Sequence, residues 1–279
     1  MALLLLQLFF PYLYYSSSDR KPNSEFQVGI HYVYEQDTVS QINTEVQHIH
    51  DLGFRLIRIT LEYDRLNPES SRRTDAFYVA AQRFNMNVAL ATQNHQDLEI
   101  MRYYLSRWGK YASYIQILNE PESSTSWDVG ALFTDDEIMT RFQETYALVE
   151  PHRTHAQLYT NFGAGFMIRT NLPIQMSEKL DFIGLDVYME SFLILSPDFV
   201  ELLHKITKKG IIITEYGMST TNDTAQSDFI IRGLNLFKSM GLKACWLAYW
   251  NSEFDNYGIR GRLAERTIGD WIAQNAKNN

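Results

Sequence analysis

The stretch Ile211-Ile212-Ile213-Thr214-Glu215 carries four β-branched residues and then a glutamate. A second stretch, Tyr114-Ile115-Gln116-Ile117-Leu118, leads in the same way to Asn119-Glu120-Pro121. Both apolar runs predict buried strands, so each glutamate stands where a strand runs out. Burying a carboxylate there costs free energy unless partners or function hold it in place. The two glutamates therefore predict acid/base or nucleophilic chemistry on a polar bond.

Eight short β-rich runs recur along the chain, about 25 to 40 residues apart, the length of a strand-plus-helix unit. The predicted strands are Gln27–Tyr32, Leu56–Thr60, Asn87–Thr92, Tyr114–Leu118, Ala156–Asn161, Phe182–Val187, Ile211–Thr214 and Ala244–Trp250. Amphipathic stretches lie between them, and we expect Asp37 and Thr134 to begin two of the helices.

Eight alternating units predict an α/β fold of the (β/α)8 TIM-barrel type, with one domain over residues 26–279. A doubly wound open sheet is the alternative. Such a fold typically has a glycine-rich phosphate-binding loop after an early strand, and the sequence has none. In a barrel, catalytic groups come from the carboxyl ends of the strands. Glu120 would end the fourth strand and Glu215 would follow the seventh, so both would face one mouth.

Composition narrows the possible functions. The 279 residues carry a net charge of −8 and show no basic stripe, so we expect no nucleic-acid partner. A single cysteine, Cys245, excludes an intrachain disulfide and a CxxC site. We expect a monomer that needs no cofactor. We also expect no metal site at His48 and His50 on the first helix, since residues two positions apart on a helix face different directions.

The N-terminal segment, residues 1–25, is the one compositionally unusual stretch. It begins Ala2-Leu3-Leu4-Leu5-Leu6 and ends in a serine-rich part, which is similar to the apolar region of a secretory signal. No lysine or arginine precedes the apolar run, and no clear cleavage site follows. We favour export, so the protein would be secreted. The alternatives are an uncleaved anchor, through which the protein would meet the membrane outside the cell, and packing of the segment under the barrel.

Short motifs at four places, in chain order, resemble clan A of the glycoside hydrolases, the retaining (β/α)8 enzymes that include family 5 cellulases and mannanases. They are Arg58 in the second strand, Asn119-Glu120-Pro121 after the fourth, Glu215 after the seventh and Trp250 at the end of the eighth. The resemblance extends over the whole predicted barrel. It implies hydrolysis by double displacement, with Glu215 as the nucleophile and Glu120 as the acid and then the base.

The resemblance also implies roles for their neighbours. The two carboxyls would lie about 5–5.5 Å apart. Arg58 would keep Glu215 anionic, and that anion would help keep Glu120 protonated. Asn119 would bind the sugar 2-hydroxyl, and Trp250 would form the floor under the reacting sugar.

Four further residues are candidates for substrate binding. Tyr188 at the end of strand six could hydrogen-bond the nucleophile, or be a rim aromatic with a satisfied hydroxyl. His31 and His95, after strands one and three, could bind sugar hydroxyls or be structural histidines. Trp127 could be a platform for the leaving sugar or an anchor of its loop.

Two departures bear on the substrate. Family 5 typically has a histidine two residues before the tyrosine of strand six, where this chain has Asp186. The segment Leu90–His95 also lacks the usual acidic-histidine pattern. The leading interpretation is a retaining hydrolase of β-linked poly- or oligosaccharides. A carbohydrate-binding barrel without catalysis and a transglycosylase with the same catalytic pair are the alternatives.

Overall fold

The computed structural model describes residues 26–34, 36–60, 68–92, 97–121, 134–164, 171–189, 192, 195–251 and 256–276. Eight parallel strands form a closed barrel in which each strand pairs with its neighbours in chain order and the eighth pairs with the first. The (β/α)8 barrel predicted from the sequence is confirmed. The N-terminal segment, residues 1–25, lies outside the described residues.

The strands are β1 Gln27–His31, β2 Leu56–Thr60, β3 Asn87–Ala91, β4 Tyr114–Asn119, β5 Gln157–Gly163, β6 Phe182–Tyr188, β7 Gly210–Gly217 and β8 Ala244–Leu247. The helices of the described part are α1 Val39–Asp51, α2 Pro68–Arg83, α3 Leu98–Trp108, α4 Asp135–Val149, α5 Leu172–Ser177, α6 Pro197–Thr207, α7 Asp223–Ser239 and α8 Leu263–Ala276. None of these helices has the length and apolar character that a membrane crossing requires.

Two strand ends differ from the prediction and matter for the site. β7 continues to Gly217, so Glu215 lies within the strand instead of after it. β8 ends at Leu247, so Trp250 lies beyond the strand instead of at its end.

The helix starts follow local capping chemistry. Thr134 caps α4 as expected, and its side chain and that of Glu137 form a reciprocal capping box. α1 is capped by Thr38 instead of Asp37. The Asp37 carboxylate is engaged elsewhere, because it accepts a hydrogen bond of 2.6 Å from the Tyr32 hydroxyl.

The barrel interior changes character along the strands. Toward the amino ends it is filled by a cluster that is mostly apolar and aromatic, consisting of Leu56, Ala89, Tyr159, Phe182, Ile212, Ala244 and Trp246. Nearer the carboxyl ends of the strands, the buried interior side chains are polar: Arg58, Gln116, Asn161, Asp186 and Thr214. The apolar layers thus form a dry base beneath a polar layer at the carboxyl ends, where (β/α)8 enzymes carry their sites.

Candidate active site

An ion pair between Arg58 of β2 and Glu215 of β7 lies at the centre of the mouth. Arg58 Nη1 donates to Glu215 Oε1 over 2.6 Å, and the two residues are 1% and 7% exposed. A pair so removed from water is strong only if the remaining donors and acceptors are also satisfied. The surrounding side chains satisfy both terminal nitrogens of Arg58, whereas its Nε is buried without a hydrogen-bond partner among the described residues.

The guanidinium of Arg58 is held by three more side chains. Nη2 donates to Gln116 Oε1 over 2.9 Å and to Asn119 Oδ1 over 3.3 Å, and Nη1 also lies 3.2 Å from His31 Nδ1. Burial and the charge of Arg58 lower the pKa of His31, so its imidazole is neutral. Nδ1 therefore accepts from Arg58, which leaves the proton on Nε2, 3.0 Å from Thr60 Oγ1.

Asn119 is fixed by the same network. Its amide oxygen also accepts from Gln116 Nε2 over 2.8 Å and from Asn161 Nδ2 over 3.1 Å. Gln116 and Asn119 both reach the interior because the register of β4 against β5 shifts between them. This bulge places two side chains of one strand on the same face, although they are three positions apart.

Glu120 follows directly and has a left-handed backbone, with φ = 39°. This conformation costs a non-glycine residue about 1–2 kcal/mol. Its backbone N–H donates to Asn161 Oδ1 over 3.2 Å, which holds the turn in place. Strained backbone that the surroundings fix so firmly is a frequent property of catalytic positions.

The two glutamates have unequal surroundings. Burial, followed by the negative charge of Glu215, raises the pKa of Glu120 from 4.5 to about 7, against smaller opposing effects of Asp186 and Arg58. Glu215 instead has the guanidinium of Arg58 on one oxygen and the Tyr188 hydroxyl, which donates to the other. The site therefore combines a carboxyl that holds a proton near neutral pH with a carboxylate that accepts two strong hydrogen bonds.

Asp186 of β6 is a third carboxyl in the site, which the sequence marked only as a departure from the family 5 pattern. Its oxygens accept from Thr214 Oγ1 over 2.6 Å and from Asn161 Nδ2. Thr214 and Glu215 are adjacent, yet both contact interior groups because β7 shifts register against β6 at this point. A buried aspartate inside an apolar strand was the signal available in the sequence; its partners on other strands were not.

The expectation that Trp250 forms the floor of the site is wrong. Its ring is fully buried, its Nε1 donates to Glu45 Oε2 over 2.8 Å, and it packs edge-on against His48. Both partners belong to α1, so the indole lies outside the barrel, between the sheet and that helix. The change follows from the early end of β8, which turns residue 250 away from the mouth.

Tyr249 takes a position at the mouth instead. Its ring stacks on His31 with centroids 5.3 Å apart, and it lies 6.2 Å from the ring of Tyr257. Tyr257 in turn meets the ring of Tyr188 edge-on at 5.4 Å. We call Tyr188, Tyr249 and Tyr257 the aromatic rim; the sequence pointed only to the first of them.

Two candidates, His95 and Trp127, lie outside the described residues. Among the residues that the structure describes, no group of three or more histidine, cysteine, aspartate or glutamate side chains is arranged to hold a metal ion. Cys245 is buried as a free thiol.

No protein-family model and no curated protein matches the sequence. The fold, however, is similar to that of solved glycoside hydrolases. An endo-1,4-beta-mannanase from Rhizomucor miehei superimposes with a TM-score of 0.68 at 15% identity, over 89% of this chain and 95% of that one. GH5_18 from Streptomyces cattleya, solved in complex with GlcNAc, gives 0.70 at 10% identity, over 91% and 81%.

A third structure, the apo form of a beta-glucosidase 1317, gives a TM-score of 0.64 at 13% identity, over 85% of this chain and 88% of that one. At such identities the likeness is one of fold. The chain thus has the single-domain (β/α)8 fold of these glycoside hydrolases.

Proposed function

We propose that the protein is a retaining β-glycoside hydrolase that cleaves β-linked poly- or oligosaccharides through a covalent glycosyl-enzyme. The observation that carries the proposal is the unequal environment of Glu120 and Glu215 at one barrel mouth. A pair of carboxyls with opposed protonation is what double displacement requires. The solved mannanase and glucosidase of the same fold support the choice of substrate class.

Glu215 is the nucleophile in this proposal. Its carboxylate attacks the anomeric carbon while the bond to the leaving oxygen breaks. Arg58 and Tyr188 each bond one carboxylate oxygen and so hold the group in a single orientation before attack. Such pre-orientation lowers the barrier because less freedom is lost on reaching the transition state. Asn119, clamped through its amide oxygen, is the residue to bind the sugar 2-hydroxyl.

Glu120 is the acid and then the base. With a pKa near 7 it holds a proton at neutral pH and gives it to the leaving oxygen. Formation of the ester on Glu215 removes a negative charge that helps hold this proton. Without that charge Glu120 ionises more readily, and its carboxylate takes a proton from the water that hydrolyses the ester.

The test uses β-glucan, mannan and a panel of aryl β-glycosides with wild type, Glu120→Ala and Glu215→Ala. We expect Glu215→Ala to be inactive on all of them. Glu120→Ala should lose about 10²–10⁴-fold on the polysaccharides but much less on aryl glycosides whose leaving group needs no proton. Glu178→Ala, the same change at an exposed glutamate, is the matched control and should have the wild-type activity.

Two results would refute the proposal. One is a wild type that cleaves a substrate while either alanine variant keeps the same rate. The other is a first-formed product with inverted anomeric configuration, read by proton NMR before mutarotation. Wild type that binds oligosaccharide without turnover would instead favour a carbohydrate-binding barrel.

A further inference from the structure

Asn161 of β5 has no role in the two steps just described, yet its side chain contacts four residues of the site. It is 0% exposed, so a sugar at the mouth does not touch it. Its amide oxygen accepts from Gln116 Nε2 over 2.8 Å and from the Glu120 backbone N–H over 3.2 Å. Its amide nitrogen donates to Asn119 Oδ1 over 3.1 Å and to Asp186 Oδ2. An asparagine side chain has two donors and two acceptor sites, and these contacts use all four. Asn161 therefore acts on a substrate only through its neighbours.

The orientation of this amide is fixed by groups that can only donate. The Glu120 backbone N–H is one of them, so it faces the oxygen of Asn161 and not the nitrogen. Arg58 Nη2 is the other, and both Gln116 and Asn119 turn their amide oxygens toward it. The Gln116 nitrogen is then left to donate to Asn119 and Asn161. The three amides thus form one directed network between Arg58 and the Glu120 turn.

Asn161 bonds both members of the adjacent pair Asn119 and Glu120. The Cα atoms of Asn119 and Asn161 pair across β4 and β5, just beyond the bulge. The backbone of Glu120 is left-handed there, with φ = 39°, a conformation that the surroundings must hold. The oxygen of Asn161 bonds that turn, and its nitrogen bonds the Asn119 side chain. One amide therefore fixes the proposed sugar contact relative to the proposed acid/base.

The network also decides which group Asn119 presents to a sugar. Its amide oxygen accepts from three side-chain nitrogens, Arg58 Nη2 at 3.3 Å, Gln116 Nε2 at 2.8 Å and Asn161 Nδ2 at 3.1 Å. Two lone pairs that already serve three donors have no capacity for another. A sugar hydroxyl bound by Asn119 must therefore accept from its amide nitrogen.

Building on the hydrolase function proposed above, we propose that Asn161 is a positioning residue that holds Asn119 and Glu120 in register with each other. Binding of the 2-hydroxyl and proton transfer to the leaving oxygen both depend on placement to within about 0.5 Å. Without the amide of Asn161, the side chain of Asn119 can rotate and the turn at Glu120 can relax. Both functions then weaken together, although neither reacting group has been removed.

The first experiment measures kcat/KM of wild type and Asn161→Ala on four aryl β-glycosides. Two carry dinitrophenolate, a leaving group that needs no proton, and two carry phenolate, which does; each pair is made with and without the 2-hydroxyl. The variant should lose about 10- to 100-fold more on the phenyl glycosides than on the dinitrophenyl ones, because Glu120 is misplaced. It should also lose about 10-fold more on the substrates with a 2-hydroxyl than on the 2-deoxy ones, because Asn119 is misplaced.

Asn161→Asp separates the two effects. A carboxylate oxygen can still accept from the Glu120 N–H, but the donor to the Asn119 oxygen is gone. The dependence on the leaving group should therefore return to that of wild type, whereas the contribution of the 2-hydroxyl should stay lost. Rates are compared at the pH optimum of each variant, because the substitution adds a charge beside Asp186.

Asn87→Ala is the matched control for the loss of an amide. Asn87 begins β3 at the amino end of the barrel, where its oxygen accepts from Ser113 Oγ over 3.0 Å. Its removal should change kcat/KM by the same factor on all four substrates, since it bonds no residue of the site.

The second experiment needs no substrate and separates this inference from the proposed function. Amide hydrogen exchange followed by NMR reports how firmly the Glu120 N–H is bonded. Its protection should fall about 10-fold or more in Asn161→Ala and be kept in Asn161→Asp. Protection is expressed relative to the N–H of Ile57, a fully buried residue of β2, so that a change in global stability affects both amides alike.

Each outcome supports or overturns the inference. A loss in Asn161→Ala that is equal on all four substrates overturns the positioning role, and so does unchanged protection of Glu120. A loss graded by leaving group and by 2-hydroxyl, with the leaving-group part restored in Asn161→Asp, supports it. If Asn161→Ala does not fold, Asn161→Asp decides, and a 2-hydroxyl contribution as large as in wild type overturns the role of Asn161 toward Asn119. Absence of activity on every glycoside overturns the proposed function, and exchange alone then decides whether Asn161 holds the Glu120 turn.

Discussion

The guanidinium of Arg58 and the carboxylate of Glu215 lie 2.6 Å apart between strands β2 and β7, on nearly opposite parts of the barrel wall. From this one position Arg58 also reaches Gln116, Asn119 and His31. Only a planar group with several fixed donors can bond all four at once. Arg58 therefore holds side chains from several strand ends in place by hydrogen bonds, and it also supplies a positive charge beside Glu215.

Arg58→Lys should consequently be far from conservative. A single ammonium can keep the charge beside Glu215 but not the bonds to Gln116 and Asn119, so both carboxyls would lose their alignment. We expect kcat/KM to fall about 10²-fold or more, as a misplacement of about 1 Å produces in a pre-aligned site. Steady-state kinetics on an aryl β-glycoside measures this. Arg153→Lys, at the opposite end of the barrel, is the control, and an equal loss there would contradict the argument.

The raised pKa of Glu120 predicts a pH dependence of stability. Because the folded state binds the proton more tightly than the unfolded one, the stabilisation is complete below about pH 4.5 and is lost as the pH rises through about 7. The loss is at most about 3–4 kcal/mol, since the shift is about 2.5 pKa units and one unit corresponds to about 1.4 kcal/mol. Urea unfolding of wild type and Glu120→Gln between pH 4.5 and 8 measures it. A difference between the two curves that does not change with pH would exclude this contribution.

The sequence predicted the barrel because every strand is a buried apolar run of the length and spacing that such folds need. It predicted the placement of Glu120 and Glu215 at one mouth because the carboxyl ends of parallel strands share one end of the barrel. Neither inference depends on an exact strand end. An error of one or two residues in a predicted strand boundary changes neither the predicted barrel nor the placement of the two glutamates at one mouth.

The position of Trp250 did depend on a strand end, and there the prediction failed. Alternation from the interior Trp246 would have turned residue 250 inward, but β8 ends at Leu247 and alternation no longer applies beyond that point. Bulges in β4 and β7 matter in the same way for the rest of the site, since they bring Asn119 and Glu215 to the interior face that Gln116 and Thr214 already occupy. A sequence pattern of period two cannot locate a bulge, because the bulge is fixed by pairing with another strand.

Trp250→Phe should therefore lower stability without affecting catalysis. The change removes the indole donor to the buried carboxylate of Glu45 and leaves that group with Arg260. A lost hydrogen bond to a charged group costs about 1.5–3 kcal/mol. Thermal and urea unfolding should show this loss, while kcat and KM stay at the wild-type values. A raised KM with unchanged stability would restore Trp250 as a sugar platform.

Tyr249→Ala should have the opposite effect. The ring is half-buried and stacked on His31 at the mouth, where it can pack against a sugar face. We expect a KM raised several-fold, as loss of an aromatic contact of about 0.5–1.5 kcal/mol implies, and a smaller change in stability. Tyr111→Ala, at an exposed tyrosine beside Lys110, serves as the control for removal of an aromatic ring.

Tyr188→Phe tests the second hydrogen bond on the nucleophile. The hydroxyl donates to the Glu215 oxygen that Arg58 does not hold. Its removal should lower kcat/KM about 10- to 100-fold, since a hydrogen bond to a charged group is worth about 1.5–3 kcal/mol. Tyr104→Phe, which removes a buried hydroxyl bonded to Ser70 on the outer helices, should leave kcat/KM unchanged. Equal losses in the two variants would mean that general destabilisation, not the contact with Glu215, causes the effect.

Gly29→Ala tests the dry base beneath the site. A Cβ at this position of β1 would lie 2.7 Å from Trp246 Cδ1 and 2.9 Å from the backbone oxygen of Leu56. The indole cannot move aside, because it stacks on Tyr159 and meets the ring of Tyr114 edge-on inside the closed barrel. Such overpacking costs about 1–3 kcal/mol.

Urea unfolding of Gly29→Ala measures this cost, with Gly109→Ala as the matched control. At Gly109 the nearest atom to an added Cβ is 3.4 Å away and the backbone is right-handed helical. That variant should be as stable as wild type or gain about 0.4–1 kcal/mol, because alanine restricts the unfolded chain. A Gly29→Ala variant as stable as Gly109→Ala would mean that the barrel interior yields to an extra methyl group, and that the dry base does not hold the strands in register under Arg58.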